Sequence, residues 1–299
     1  NTYCLGDAAS SLTASGGSTY LWNNGTAGAI ITPTTNTAGN TTYTVTVTNA
    51  SGCTDTESVS ITINTSPTAS ISGTTTYCVG DAASTLTATG GSTYLWDNGT
   101  ASASITPTTN TAGNTTYTVT VTNASGCTDT ESISVTVSAS PTTSITGTNT
   151  YCLGDAASSL TASGGSVYLW DNGTASASIT PTTNTAGNTT YTVTVTNASG
   201  CTDTESISVT VSASPTTSIT GTNTYCLGDA ASSLTASGGS TYLWNNGTAG
   251  AIITPTTNTA GNTTYTVTVT NASGCTDTES VSITINTSPT ASISGTTTY

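Results

Sequence analysis

The chain has 299 residues and contains no Lys, Arg or His, so its 14 acidic residues give a formal net charge of −14. This composition excludes a basic nucleic-acid-binding surface and a polybasic contact with a membrane, and no segment approaches the ~20 apolar residues of a membrane span. It also removes the side chains that most enzymes use at neutral pH as acids, bases or anion clamps, so we expect no enzymatic activity and no cofactor.

A 74-residue period organises the whole sequence. The stretch TTYTVTVTNASGCTDTES at 41–58 recurs three times at that spacing, and residues 1–77 are identical to residues 223–299. We therefore expect the sequence to be a window on a longer periodic chain, with one small all-β domain in each repeat.

Ser-Pro pairs mark the predicted domain boundaries, because proline lacks the N–H that a strand ladder needs and so favours strand edges. The predicted domains are 1–66, which lacks a first strand, then 67–140, 141–214 and 215–288, and finally 289–299 as the first strand of a further domain. The linkers have almost no length, so neighbouring domains should be stiffly coupled.

Apolar and polar residues alternate in short runs bounded by turn residues, which is typical of the strands of a β-sandwich. In the second domain the predicted strands are, in chain order, 67–73, 84–90, 92–99, a short strand near 101–105, another after Pro107, 115–123 and 130–138. The last two flank an Asn-Ala-Ser-Gly turn and form a hairpin. The prediction is an all-β tandem array of immunoglobulin-like sandwiches.

The predicted core of each domain is thin. In the second domain it consists of Ile71, Leu86, Leu95 or Trp96, Ile105, Tyr117, Val119, Val121, Ile133, Val135 and Val137. We expect the four tryptophans to be core residues, with sugar stacking as the alternative; they are Trp22, Trp96, Trp170 and Trp244. Because such a core barely offsets the cost of ordering 74 residues, a disulfide would matter for stability.

Eight cysteines in a periodic layout predict a disulfide framework in an oxidising, extracellular setting. They are Cys4, Cys53, Cys78, Cys127, Cys152, Cys201, Cys226 and Cys275. Two cysteines per domain favour one bridge inside each domain, such as Cys78 with Cys127. If the two lie at opposite ends of a sandwich, the alternative is a staple between neighbours, such as Cys4 with Cys127, Cys78 with Cys201 or Cys152 with Cys275.

Two further groups of side chains are candidate sites. Asp129 and Glu131 share a strand face near one cysteine and Asp81 follows another, so the three carboxylates form a weak calcium candidate if their loops meet. The alternative is that they are solvated acids that keep a fibre soluble. The threonine faces of the strands could bind ice or polysaccharide, contact another copy of the chain, or simply favour a strand with one wet face.

The runs YCVGDAASTLTA, YLWDNG, TTYTVTVTNASGCTDTES and SVTV together resemble the PKD-like, immunoglobulin-like repeats of very large Bacteroidota surface proteins, including gliding adhesins and filaments secreted by the type IX system. The WDNG of 96–99 stands where PKD domains carry their Trp-Asp-x-Gly turn. The resemblance covers every repeat. It implies an extracellular, cell-surface protein of cell adhesion.

Near-identical repeats serve length rather than varied recognition. We therefore predict a structural segment of a long adhesin or appendage fibre that gives reach and stiffness for attachment at a cell surface or between cells. The alternative is that the repeats themselves bind a ligand (glycan, ice or another cell surface) through their threonine-rich faces. The expected partners are other copies of the chain in a homo-oligomeric filament, unless the chain is a monomeric stalk.

Overall fold

The computed structural model describes residues 1–296 and divides into two compact units, Asn1–Ser140 and Pro141–Tyr299. Each unit contains two β-sandwiches, one for each 74-residue repeat, and every regular element in the described part of the chain is a strand. No helix found there is long and apolar enough to cross a bilayer.

The first unit contains the first two repeats, and the strands follow one another in the same order in both. The first repeat has β1 (Thr2–Cys4), β2 (Leu12–Thr13), β3 (Thr19–Trp22), β4 (Ile30–Ile31), β5 (Gly39–Thr48) and β6 (Thr54–Asn64). The second has β7 (Ser70–Ser72), β8 (Thr76–Cys78), β9 (Leu86–Thr89), β10 (Thr93–Trp96), β11 (Ser104–Ile105), β12 (Gly113–Thr122) and β13 (Thr128–Ser138).

The second unit contains the third and fourth repeats, each with seven strands. The third has β14 (Ser144–Thr146), β15 (Thr150–Cys152), β16 (Leu160–Ser163), β17 (Val167–Trp170), β18 (Ser178–Ile179), β19 (Gly187–Thr196) and β20 (Thr202–Ser212). The fourth has β21 (Ser218–Thr220), β22 (Thr224–Cys226), β23 (Leu234–Ser237), β24 (Thr241–Trp244), β25 (Ile252–Ile253), β26 (Gly261–Thr270) and β27 (Thr276–Asn286).

Two sheets form each complete sandwich. In the second repeat, one sheet has the order β10-β12-β13-β8 and the other the order β11-β9-β7. The long hairpin β12–β13 is antiparallel with Tyr117 opposite Ile133, as its period-two alternation predicts. At the edge of the same sheet β8 runs parallel to β13, with Cys78 opposite Ser138.

The core lies between the two sheets and is centred on a tryptophan. Trp96 is 1% exposed, and its indole N–H donates a hydrogen bond of 2.9 Å to the Ser102 carbonyl, so the buried polar atom is satisfied. Its neighbour Leu95 points to the other face of the strand and is 53% exposed. Of the two alternatives in the predicted core, the structure therefore selects the tryptophan.

The fold class is confirmed: the protein is all-β, with tandem immunoglobulin-like sandwiches that repeat every 74 residues. Some strands differ from the prediction. The three-residue strand β8 was not predicted, and the strand predicted after Pro107 is absent from that repeat. Residues 289–296, predicted as part of a first strand, lie in no strand, while the remainder of that prediction, 297–299, lies outside the described residues.

Candidate functional site: the junction between repeats

The turn between the two long strands of a sandwich is organised by its asparagine. The Asn123 side-chain oxygen accepts hydrogen bonds from the backbone N–H groups of Ser125 and Cys127, each at 3.0 Å. The turn also needs Gly126, which adopts a φ of 83°, a conformation that residues with a Cβ rarely adopt. The bonds fix the position of the cysteine at the end of the turn.

The other cysteine of each repeat lies at the start of a loop that is also held in place by hydrogen bonds. In the third repeat, Asp155 accepts a 2.8 Å hydrogen bond from the Cys152 backbone N–H, and its own carbonyl accepts one of 2.6 Å from the Thr183 hydroxyl. The next residue, Leu153, donates its backbone N–H to the Ser212 carbonyl at 2.9 Å. This cysteine is therefore held beside the end of the last strand of its own repeat.

The two positions meet between consecutive repeats. Cys4 of the first repeat forms a disulfide with Cys127 of the second, with 5.6 Å between their Cα atoms. Beside it the Asn123 amide donates a 2.9 Å hydrogen bond to the Thr65 carbonyl, just before the linker between the two sandwiches. One asparagine thus holds both its own turn and the preceding repeat.

The second unit contains the same junction. Cys152 and Cys275 form a disulfide with Cα atoms 5.6 Å apart. The Asn271 amide donates a 2.8 Å hydrogen bond to the Ala213 carbonyl, and the Cys275 sulfur lies 3.7 Å from the Ser212 carbonyl oxygen. We call each of these disulfides, Cys4–Cys127 and Cys152–Cys275, a staple.

The favoured sequence interpretation, a bridge inside each domain, is wrong for these two pairs. In the first repeat β1 runs parallel to β6 and places Cys4 opposite Asn64, the last residue of β6. Cys53 immediately precedes β6. The two cysteines therefore lie at opposite ends of an 11-residue strand, roughly 35 Å apart at the usual rise per residue, which is too far for a disulfide.

The other cysteines occupy the same two positions in their repeats. Cys78 ends β8 and Cys201 precedes β20, and neither is free. Cys53 and Cys226 are exposed free thiols, although the sequence predicted all eight cysteines in disulfides. In the staple pattern the partner cysteine belongs to an adjacent repeat, and the described residues include no such partner for Cys53 or for Cys226.

The candidate calcium site is not assembled. Asp81 accepts a 2.7 Å hydrogen bond from the Cys78 backbone N–H beside the end of β13, whereas Asp129 lies at the start of that strand, with exposed Glu131 two residues on. Across residues 1–296, no group of three or more acidic, Cys or His side chains is arranged to hold a metal ion.

Asp129 instead attaches the first strand of its own sandwich. Its carboxylate accepts a 2.8 Å hydrogen bond from the Ala69 backbone N–H. The equivalent bonds join Asp203 to Thr143 at 3.0 Å and Asp277 to Thr217 at 3.4 Å. We call this carboxylate the strand clamp.

Hydrogen bonds from backbone N–H groups lower the pKa of two strand clamps. The Thr143 backbone N–H is the main cause for Asp203, whose pKa lies below its ordinary value of 3.8. For Asp277 the Thr278 backbone N–H contributes most to the lowered pKa, followed by the hydroxyl and backbone N–H of Thr217. Both clamps are therefore charged at neutral pH, when they bind the N–H groups best.

The threonine faces are internally paired. The hydroxyls of Thr118 and Ser132 lie 2.9 Å apart across the β12–β13 hairpin, and those of Thr192 and Ser206 are also 2.9 Å apart across the hairpin of the third repeat. These pairs stabilise the strands themselves. All four tryptophans are at most 4% exposed and offer no face to a sugar.

Replacing Asn123 with Asp tests the polar part of the junction. An Asp keeps an oxygen for the turn but loses the amide that donates to the Thr65 carbonyl, so we expect the free energy of unfolding of the first two repeats to fall by about 1 kcal/mol. Asn49→Asp is the matched control, because Asn49 organises the same turn, through Ser51 and Cys53, without a described acceptor for its amide. Equal losses in urea unfolding would contradict the assignment.

Sequence reasoning found the cysteines but missed the asparagine and the strand clamp. Both lie within the stretch TNASGCTD, which occurs four times in the sequence. Since every position there is retained, the repetition did not distinguish residues that hold a junction from their neighbours.

The architecture places the protein among tandem immunoglobulin-like arrays. No protein-family model matches the chain, and no curated protein sequence matches it. Among solved structures it is similar to a Ca²⁺-stabilised adhesin that helps an Antarctic bacterium reach out and bind ice, at 19% identity over 96% of each chain with a TM-score of 0.33.

Two further solved structures show a similar degree of likeness. Immunoglobulin domains 1–5 of Sidekick-1 align at 14% identity over 96% of this chain and 78% of that one, with a TM-score of 0.28. The insect immune protein hemolin aligns at 13% identity over 90% of this chain and 91% of its own, with a TM-score of 0.29. The likeness in all three cases is one of fold.

Proposed function

We propose that this chain is a structural repeat segment of a long extracellular adhesin or appendage fibre, which provides reach and stiffness for attachment. The observation that carries the proposal is the staple: each disulfide joins one repeat to the next, and its two cysteines are separated by 123 positions in the sequence. A bridge inside a domain would stabilise only that domain. A bridge between domains restricts how they bend and twist against each other.

The staples also determine how a pulling force passes along the chain. Force that enters at residue 4 crosses the Cys4–Cys127 bond directly, so residues 5–126 carry no load. The bond between Cys152 and Cys275 protects residues 153–274 in the same way. A fibre built in this manner resists stretching through covalent bonds rather than through the stability of its thin sandwiches.

Single-molecule stretching tests the proposal. With the staples intact, the fully extended chain should reach only roughly 200 Å, because the looped residues cannot unravel, whereas the reduced chain should reach roughly 1,000 Å. Cys53→Ser is the matched control and should leave the oxidised length unchanged, since Cys53 is free. An oxidised chain that extends as far as the reduced one would refute the load-bearing role.

The setting follows from the same chemistry. Disulfides persist in oxidising compartments, which supports a location outside the cell. Together with the resemblance to PKD-like repeats of Bacteroidota surface proteins, this leads us to propose export by a type IX system and a place at the cell surface. The partners we propose are other copies of the same chain.

A further inference from the structure

Every repeat contains the tripeptide Asn-x-Ser/Thr, the acceptor sequence for attachment of a sugar chain to asparagine, at three places. In the second repeat these are NGT at 98–100, NTT at 114–116 and NAS at 123–125. A further tripeptide, NTS, begins at Asn64 and again at Asn286. Because Asn, Ser and Thr are abundant in this chain, the tripeptide alone does not identify a site. The surroundings of each acceptor atom, the amide nitrogen Nδ2, distinguish them.

The NAS asparagines are closed to modification by the junction between repeats. The Asn123 oxygen accepts hydrogen bonds from the backbone of its own turn, and its Nδ2 donates to the Thr65 carbonyl of the preceding repeat at 2.9 Å. Asn271 makes the same contact with Ala213 at 2.8 Å. A sugar on either Nδ2 would have to occupy the space of the preceding repeat.

The NTT and NTS tripeptides are poorly placed for a different reason. Asn114 is exposed, but its tripeptide belongs to β12, where Asn114 lies opposite Thr136 of β13. The backbone there is held in the strand ladder and cannot bend into a modifying enzyme without loss of hydrogen bonds. Asn64 is half-buried at the end of β6, and its carbonyl oxygen lies 4.0 Å from the Cys127 sulfur of the staple.

The NGT tripeptide lies at the tip of a tight turn that follows β10. The Gly99 N–H donates to the Trp96 carbonyl, and the Trp96 N–H donates to the Thr100 carbonyl, both at 2.9 Å. Asn98, Gly99 and Thr100 are all exposed. A Cβ added at Gly99 would meet no atom within 4 Å. The turn is therefore rigid and projects into open space.

The Asn98 side chain is held with its nitrogen outward. Its Oδ1 accepts a 3.0 Å hydrogen bond from the backbone N–H of Thr100, the third residue of the tripeptide. Since oxygen and nitrogen lie on opposite sides of the planar amide, this bond directs Nδ2 away from the turn. Within the described part of the chain, Nδ2 of Asn98 has no hydrogen-bond partner. The same bond, at 3.0–3.1 Å, joins Asn24 to Thr26, Asn172 to Thr174 and Asn246 to Thr248.

We propose that Asn98 and its counterparts Asn24, Asn172 and Asn246 are sites of N-glycosylation. The co-substrate is an oligosaccharide whose anomeric carbon carries a diphosphate leaving group. In the transfer, Nδ2 forms a bond to the anomeric carbon, and the bond from that carbon to the diphosphate oxygen breaks. The amide loses one proton to a base of the transferase. The exposed Thr100 hydroxyl is the second group that the acceptor sequence requires.

A sugar chain at this turn also answers a problem of the neighbouring sheet edge. The strand β10 is an edge strand, and Leu95 on it is 53% exposed. Proteins commonly protect such edges from pairing with other chains by charged side chains, lysine above all. This chain has no Lys, and β10 reads TYLW, without a charge. A bulky, hydrated sugar chain at the end of the same strand would supply the missing protection.

Mass spectrometry of the chain recovered from the cells that export it tests the proposal. Fragmentation of its peptides should place a sugar chain on Asn98 and its counterparts. Asn123 and Asn271, whose Nδ2 atoms are used in the junctions, should be unmodified. Unmodified Asn-Gly-Thr peptides, or a sugar chain on Asn123 or Asn271, would overturn the proposal.

The intact mass of variants produced in the same cells gives a matched comparison. Asn98→Gln should remove one sugar chain, because the acceptor sequence requires asparagine, whereas Asn114→Gln should remove none. Thr100→Val should also remove one and Thr100→Ser should retain it, although both variants keep the backbone N–H that holds Asn98. These positions are exposed, so the repeat should stay folded. Equal sugar content in Asn98→Gln and Asn114→Gln, or in Thr100→Val and Thr100→Ser, would contradict the assignment.

These outcomes are independent of the proposed load-bearing role. Stretching measures the staples, whereas mass spectrometry measures the turns after β10 and its counterparts. An unmodified chain with short extension would retain the staple function and remove the glycosylation sites, and a glycosylated chain with full extension would do the reverse.

Discussion

Replacing Trp170 with Ala is expected to unfold the third repeat while the others remain folded. Trp170 is 1% exposed and lies in the core of its sandwich. Truncation of a buried Trp costs about 3–5 kcal/mol. A domain of this size has a total stability of only about 4–10 kcal/mol at ordinary values per residue, and the Ser176 carbonyl would also lose its 2.9 Å hydrogen bond from the indole.

Hydrogen exchange locates the effect. Amides of β16, β19 and β20 should lose protection in Trp170→Ala, whereas those of the first unit should retain it, because each sandwich has its own core. Leu169→Ala is the control: the adjacent side chain is 52% exposed, and its loss should change the free energy of unfolding by less than about 0.5 kcal/mol. Similar losses from both variants would show that the tryptophan is not the centre of the core.

The sandwiches themselves were predictable because a single physical signal specifies them. Alternation with a period of two identifies which side chains of β12 and β13 face inward, and Asn-Ala-Ser-Gly identifies the turn between them. The same alternation runs through β10, where either Leu95 or Trp96 had to be buried. Only the packing of the second sheet decides between them, and it buries the larger side chain.

The junction was not predictable because it depends on the direction of one very short strand. The three residues of β8 are too few to show a period, yet their parallel pairing with β13 places Cys78 beside Ser138. That places it away from the turn that contains Cys127. The direction of so short a strand is set by its pairing with a strand distant in the sequence, so the sequence left both disulfide arrangements open.

The strand clamp was hidden for a related reason. Asp129 is 60 residues from the Ala69 N–H that it binds, and in the sequence it looked like one of several solvated acids. Its role arises only when β7, the first strand of the sandwich, packs against the sheet that contains β13.

Loss of a staple is expected to have the second large effect. Cys127→Ser opens the bond to Cys4, which closes a loop of 123 residues in sequence. By chain entropy, a loop of that length should contribute about 4–5 kcal/mol to the free energy of unfolding of the first two repeats. That contribution is comparable to the stability that a thin 74-residue sandwich obtains from its core.

Urea unfolding followed by tryptophan fluorescence measures the loss, and treatment of the intact chain with a reductant should lower the midpoint at least as far. Cys53→Ser is the matched control, because Cys53 precedes the same hairpin strand in its own repeat but is a free thiol. Should Cys127→Ser and Cys53→Ser unfold at the same urea concentration, the staple would contribute stiffness only. A large difference would mean that adjacent repeats stabilise each other covalently, which allows each sandwich to have so small a core.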